Sequence, residues 1–181
     1  MISGRSQLEI REAVPDDAEG IVAVLNPIIQ AGIYTILDAP VTADAERAFI
    51  RRCSPRGVFL VAIDRTDHVL VGFQNTQPLV TYTHACDHVG ETGTYVDLGR
   101  RRQGIATQLF EATFERALAN GYEKIFTFVR ADNPAALQTY LHHGFRVVGT
   151  ARRHAKVGGR YVDETMIEKL LGDGQVSVTP S

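Results

Sequence analysis

The feature that most constrains this chain is its middle, where strand and helix patterns alternate at short spacing. Thr94-Tyr-Val-Asp97 reads as a short strand, and Gln103 to Asn120 as a helix with Leu109, Phe110, Thr113, Phe114, Ala117 and Leu118 on one face. Gly121 suits the left-handed position that closes a helix. Lys124-Ile-Phe-Thr-Phe-Val129 is strongly β in composition. Asn133-Pro134, a cap followed by proline at the first helical position, starts a helix that ends at Gly144. Such a run demands a sheet with helices packed on its faces. The flanks break the alternation. Leu8, Ile10 and Ala13 mark a strand, and Pro15-Asp16-Asp17 opens a helix with Ile21, Val24, Leu25, Ile28 and Ile29 at helical spacing. Pro27 should kink or end that helix. Thr42 and Glu46 begin a second helix through about Arg52. Val58–Ile63 and Val69–Phe73 pair around the turn at Asp64–His68, and Phe145–Thr150 and Tyr161–Glu168 follow with Gly158-Gly159 as a hairpin turn. The order β-α-α-β-β-β-α-β-α-β-β predicts a mixed α/β layered domain, not a doubly wound one.

With 181 residues, 44% of them apolar, the chain suits one domain, expected over 1–171, followed by a loose tail, GDGQVSVTPS, over 172–181. Cys53 and Cys86 are too few for a disulfide framework. The N-terminus shows no apolar signal core, and the apolar stretch Ile21 to Tyr34 is broken by Asn26, Pro27, Gln30 and Gly32. A cytoplasmic protein without membrane or nucleic-acid partners is the expectation. The net charge of −2 conceals an asymmetry: residues 1–99 hold 7 basic and 13 acidic groups, and residues 100–160 hold 11 basic and 4 acidic. A basic segment therefore surrounds the most informative loop.

That loop is Gly99-Arg-Arg-Arg-Gln-Gly-Ile-Ala106-Thr107, lying between a strand and a helix. Small residues at 104 and 106 leave the amides at the helix start open to an anion, which the helix dipole and the arginines favour. A pyrophosphate is the natural guest. The plainer reading is a basic loop before an ordinary helix. No P-loop G-K-[ST] and no G-x-G-x-x-G are present, and Gly99 is followed by three arginines where a methyltransferase loop continues G-x-G. His84, Cys86 and His88 alternate, but three such ligands without a fourth do not make a metal motif, and no metal is expected.

The second constellation is Asn133 and Tyr140, seven residues apart and so on one helical face, followed by Gly144-Phe145. R-x-x-G-x-A at Arg101–Ala106, then N-x6-Y-x3-G-F, resembles the GNAT superfamily of acyl-CoA-dependent N-acetyltransferases. Glu91–Val96 and Gly149–Asp163 resemble its phosphinothricin-acetyltransferase-like branch. The resemblance spans about Leu8 to Leu171. It implies a mostly antiparallel central sheet flanked by helices, acetyl-CoA as donor, a small amine or amino acid as acceptor, and a homodimer. Backbone amides of Arg102, Gln103, Gly104, Ile105, Ala106 and Thr107, beside Arg101, would bind the coenzyme pyrophosphate. Main-chain groups of Tyr95 and Val96 would pair with the pantetheine arm, and the Val96 amide would serve the oxyanion. Asn133 would contact the pantetheine, cap its helix, or both. Tyr140 would assist the departing thiolate, against the alternative of a core tyrosine. Glu91 would help deprotonate the amine, directly or through water, against that of a solvated strand residue. Tyr34, Thr35, Tyr82 and His84 would border the acceptor. Gly99 and Ala136 depart from the family pattern. Acetylation of protein N-termini or lysines, and a non-catalytic acyl-CoA sensor, are the competing readings.

Overall fold

The computed structural model describes residues 8–172. All but the first residue of the expected tail therefore lie outside the described residues. Seven strands form one sheet: β1 (Leu8–Glu12), β2 (Val58–Asp64), β3 (Val69–Pro78), β4 (Val89–Val96), β5 (Lys124–Arg130), β6 (Arg146–Val157) and β7 (Arg160–Leu170). Their spatial order is β1-β2-β3-β4-β5-β7-β6, and among these neighbours only β4 and β5 run parallel. The parallel pair follows from the chain path, since α3 (Ile105–Ala119) carries the chain back to the end of the sheet at which β4 begins before β5 starts.

Four helices cover the sheet. Helices α1 (Ala18–Gln30) and α2 (Ala43–Arg51) bury Ile21, Val24, Leu25, Ile28 and Ile50 against Phe59, Val61 and Phe73 on one face. On the other face, Leu109 and Phe110 of α3 and Tyr140 of α4 (Pro134–His142) join Leu60, Ile125 and Ile167. Phe110 is wholly buried, with its ring 5.2 Å from Tyr140 and 6.1 Å from Phe145. Burying an aromatic ring stabilises by roughly 1.5–3 kcal/mol, so this cluster fixes where Tyr140 sits.

Several expectations change. Pro27 neither ends nor interrupts α1, which continues to Gln30. Pro27 and Ala23 both face solvent, so water can satisfy the Ala23 carbonyl that the missing amide leaves free. β3 and β4 outrun their apolar runs because polar side chains pair inside the sheet, and β6 outruns its own by pairing with β7 along an exposed edge. Thr76 Oγ1 donates to Thr92 Oγ1 at 3.1 Å, and β6 passes its polar stretch through a bulge between Ala151 and Ala155. His84, Cys86 and His88 do not share a strand face. Residues 79–88 are bends and turns, with Asp87 N donating to His84 O and Val89 N to Cys86 O.

Candidate active site

β4 and β5 pair only over Val89–Glu91 with Lys124–Phe126, and beyond that point they diverge. Thr127 Oγ1 spans the start of the gap, donating to Thr92 O at 2.7 Å. A cavity of about 310 Å³ opens past this bridge, walled by Thr92–Tyr95 on one side and Thr127–Arg130 on the other. The orientation of the backbone decides which groups face it. Asp97 N donates to Val71 O at 2.9 Å, so Asp97 and, two residues back, Tyr95 turn their peptide groups toward β3. Thr94 and Val96 therefore turn theirs toward the gap.

Side chains divide between the two faces. Glu91 aligns with Phe126 and Phe126 with Glu168, so these three share a face, and with period two so do Arg130 and Glu164. Thr92, Thr94, Thr127 and Val129 point to the opposite face, where Tyr140 lies. The cavity meets both sets because the splayed strands open the sheet itself.

Tyr140 is buried, and its hydroxyl donates to Thr94 Oγ1 at 3.0 Å. Gln74 Nε2 donates to the same oxygen at 2.7 Å, leaving the Thr94 proton free to turn toward the cavity. Burial pushes the Tyr140 phenol above its ordinary value, more than its bond with Thr94 lowers it. Glu91 borders the cavity with part of its surface in water, yet the surrounding protein lifts its carboxyl above the usual range. Glu164 is 3% exposed and also raised, by burial first, with His154 and Arg130 pulling down and Glu91 pushing up.

At the end of β4 the backbone folds into the arginine loop. Asp97 accepts from Gly99 N at 2.7 Å, and Arg100 reaches back to Asp64 at 2.8 Å and Asp67 at 2.5 Å, pinning the loop to the β2–β3 turn. Gly104 caps α3 at φ +79°, where a side chain would be strained although the space is open. Gln108 N to Gly104 O, at 3.2 Å, is the first bond of the helix. The amides of Ile105, Ala106 and Thr107 thus have no acceptor within α3, as at any helix start, and the Ile105 side chain is buried beneath them.

Residues 30–145 match the model of the acetyltransferase (GNAT) family. The chain belongs to this family. It is 24% identical over 170 residues to a phosphinothricin N-acetyltransferase of Streptomyces coelicolor, covering 93% of this chain and 99% of the relative. An L-methionine sulfoximine/L-methionine sulfone acetyltransferase of Pseudomonas aeruginosa is 26% identical over 165 residues, covering 90% and 94%. In fold, the chain matches a GNAT superfamily phosphinothricin acetyltransferase from Sinorhizobium meliloti, solved in complex with AcCoA, at a TM-score of 0.84 and 19% identity, covering 96% of this chain and 93% of that one.

Within this GNAT fold, Tyr34, Thr35, Glu91, Tyr95 and Tyr140 converge on one cavity. The guanidinium of Arg101 lies 4.1 Å from the Tyr34 ring centroid, joining the arginine loop to the loop after α1. The expected pairing of Tyr95 main-chain groups with a ligand is not what the structure provides. Those groups oppose Phe73, and Thr94 and Val96 face the gap instead. Tyr82 and His84 stand apart from the cavity lining; Tyr82 is 87% exposed, and His84 turns to Asp87 at 3.0 Å. Asn133 caps α4, its Oδ1 accepting from Ala136 N at 3.2 Å. His143, half-buried at the end of α4, packs its ring 4.4 Å from that of Phe110. Thr94, Arg130 and Glu164 also line this cavity and are not among the residues expected from the sequence. The available signal for Glu164 was an acidic residue at an inward position of the strand Tyr161–Glu168.

Proposed function

We propose that this chain, as one domain over 1–171, transfers an acetyl group from acetyl-CoA to the primary amine of a small molecule or amino acid, by direct attack in a ternary complex. One observation carries the reading: the gap between β4 and β5 opens a single cavity to Tyr140 on one face and Glu91 on the other. The first-turn amides of α3, with Gly104, Arg101, Arg102 and Gln103 alongside, suit the coenzyme pyrophosphate. From there the gap leads past Val96 and Thr94, whose outward backbone groups can pair with the pantetheine arm. Asn133 holds the start of α4 in place for Tyr140.

Glu91 accepts a proton from the incoming ammonium, directly or through water, before attack. A carboxyl with a raised pKa suits this task better than an ordinary one. The Val96 amide, unpaired with β5, donates to the carbonyl oxygen as negative charge develops. Tyr140 turns its hydroxyl proton from Thr94 Oγ1 to donate a hydrogen bond to the departing sulfur. Even the unperturbed phenol, near about 10, is a weaker acid than a thiol near about 8.5, so Tyr140 stabilises the thiolate by hydrogen bonding ahead of any proton transfer. Tyr34 and Thr35 wall the acceptor side.

The same reading takes the enzyme as cytoplasmic and homodimeric, without membrane or nucleic-acid partners. Among the described residues no helix is long and apolar enough to cross a membrane. Edge strand β6 exposes Val147 and Val148, apolar surface that a second copy would cover. The test is release of free thiol from acetyl-CoA over a panel of amines and amino acids. Calorimetric binding of acetyl-CoA with no turnover on any acceptor would overturn catalysis in favour of a sensor.

A further inference from the structure

The cavity holds a charged group that the acetyl transfer above leaves unused. Glu164, on β7, is 3% exposed and borders the cavity, and its Oε2 has no hydrogen-bond partner among the described residues. A buried carboxylate oxygen without a partner is costly, so such groups are either paired or waiting for a ligand. Two neighbours could serve. His154 Nε2 stays 3.9 Å from Oε2, beyond hydrogen-bond reach, with its ring stacked on Phe128 at 5.1 Å. Arg130, opposite Glu164 in the β5–β7 register, spends its donors elsewhere: Nη1 on Gly32 O and Thr35 O, Nε and Nη2 on Asp132. One Nη2 hydrogen remains.

Arg130 is the one cationic side chain lining the cavity among the described residues, and its charge is matched by Asp132. Glu91 and Glu164 thus make the acceptor face negative overall. A guest carboxylate would meet two carboxyls and one spare guanidinium hydrogen. A second cation would instead supply the donor that Glu164 lacks.

Resting on the acetyltransferase reading, we propose that Glu164 binds a second, non-reacting ammonium of the acceptor, so that the preferred substrate is an α,ω-diamine and not an α-amino acid. Glu91 serves the amine to be acetylated, and Glu164 holds the far end. Glu164 lies four residues along β7 from Glu168, which is level with Glu91, so the two are about 13 Å apart along the strands and two strands, about 10 Å, apart across them. Two glutamate side chains reaching inward shorten that span to the reach of a short alkyl diamine.

The test compares diaminopentane, n-pentylamine and norleucine as acceptors for the wild type and Glu164→Gln. Wild-type kcat/KM should favour diaminopentane by about tenfold or more, the worth of one charge-assisted hydrogen bond. Glu164→Gln should raise the diaminopentane KM about ten- to a hundredfold, with the KM for acetyl-CoA and for pentylamine unchanged within twofold. Without acetyl-CoA, diaminopentane should raise the melting temperature of the wild type and not of the variant. Norleucine or pentylamine matching the diamine, or a variant that loses all acceptors equally, overturns the assignment. Should Glu164→Gln fail to fold, Glu164→Asp and the wild-type panel decide alone. Stabilisation by diaminopentane with no thiol release on any acceptor would sink the transferase reading while leaving the dication site standing. Thiol release without diamine preference would do the reverse.

Discussion

Replacing Tyr140 with phenylalanine isolates one oxygen. The ring stays in place, since its contacts with Phe110 at 5.2 Å and Phe145 at 5.0 Å involve carbon edges alone. The hydroxyl's partner is not stranded, because Thr94 Oγ1 still receives Gln74 Nε2 at 2.7 Å. One neutral hydrogen bond is lost, worth about 1 kcal/mol, which in a chain of this length lowers the melting temperature by about 2–4 °C. Catalysis should suffer more. A hydrogen bond to a group acquiring charge is worth about 1.5–3 kcal/mol, so kcat should fall about ten- to a hundredfold with the KM for acetyl-CoA unchanged. The pH dependence carries the sharper test. Burial raises the Tyr140 pKa above the ordinary phenol value, so the hydroxyl keeps its proton across neutral pH. The ratio of wild-type to Tyr140→Phe kcat should therefore stay flat from about pH 6 to pH 9. Steady-state thiol release measured across that range decides. Full kcat in the variant, or a ratio that collapses as pH rises toward 9, would refute the reasoning.

Glu91→Gln should remove the base while sparing acetyl-CoA binding. A base works deprotonated, so wild-type kcat/KM should rise with pH through the raised Glu91 pKa and then flatten, whereas the variant should keep climbing toward the amine's own value near about 10; identical profiles in initial-rate assays would exclude Glu91 as the base. Gly104→Ala meets no atom within 4 Å, so its whole cost is the left-handed backbone at φ +79°, about 1–2 kcal/mol. That cost should appear as a lower melting temperature where the free loop keeps its conformation, or as an acetyl-CoA KM raised about five- to thirtyfold where the free loop relaxes and is restored on binding, with kcat retained. An unchanged KM together with an unchanged melting curve would remove the α3 start from the donor site.

Local signals were legible in the sequence, and signals that depend on register were not. Thr42, Asn133-Pro134 and Gly121 mark helix ends because a cap acts within one turn of chain, and the structure caps α2 and α4 at Thr42 and Asn133. β3 and β4 extend past their apolar alternation because Gln74, Thr76 and Thr92 are buried and pair with threonine hydroxyls or backbone, which interrupts the pattern that reveals a strand. Tyr140 and Glu91 could be picked out through resemblance, not through spacing. Arg130 and Glu164 meet because β5 and β7 pair antiparallel in one register, which no window along the chain contains.

The charge asymmetry sharpens once the partners are known. Most of the basic excess between residues 100 and 160 serves the fold: Arg100 is held by Asp64 and Asp67, Arg130 by Asp132, and Arg116 and Arg146 by Glu12 and Glu168. Arg153 and Lys156 lie over the Tyr161 ring. Among the described residues, Arg101 and Arg102 form no ion pair, and they flank the first-turn amides of α3. Arg152 and Arg160 likewise form no ion pair among the described residues, so the α3 start is one of the places where positive potential is left for a polyanion, while Glu91 and Glu164 hold the acceptor face negative. Positive charge at the α3 start and the carboxyls of Glu91 and Glu164 thus flank the splay of β4 from β5, which is where a polyanionic donor and a cationic acceptor can meet.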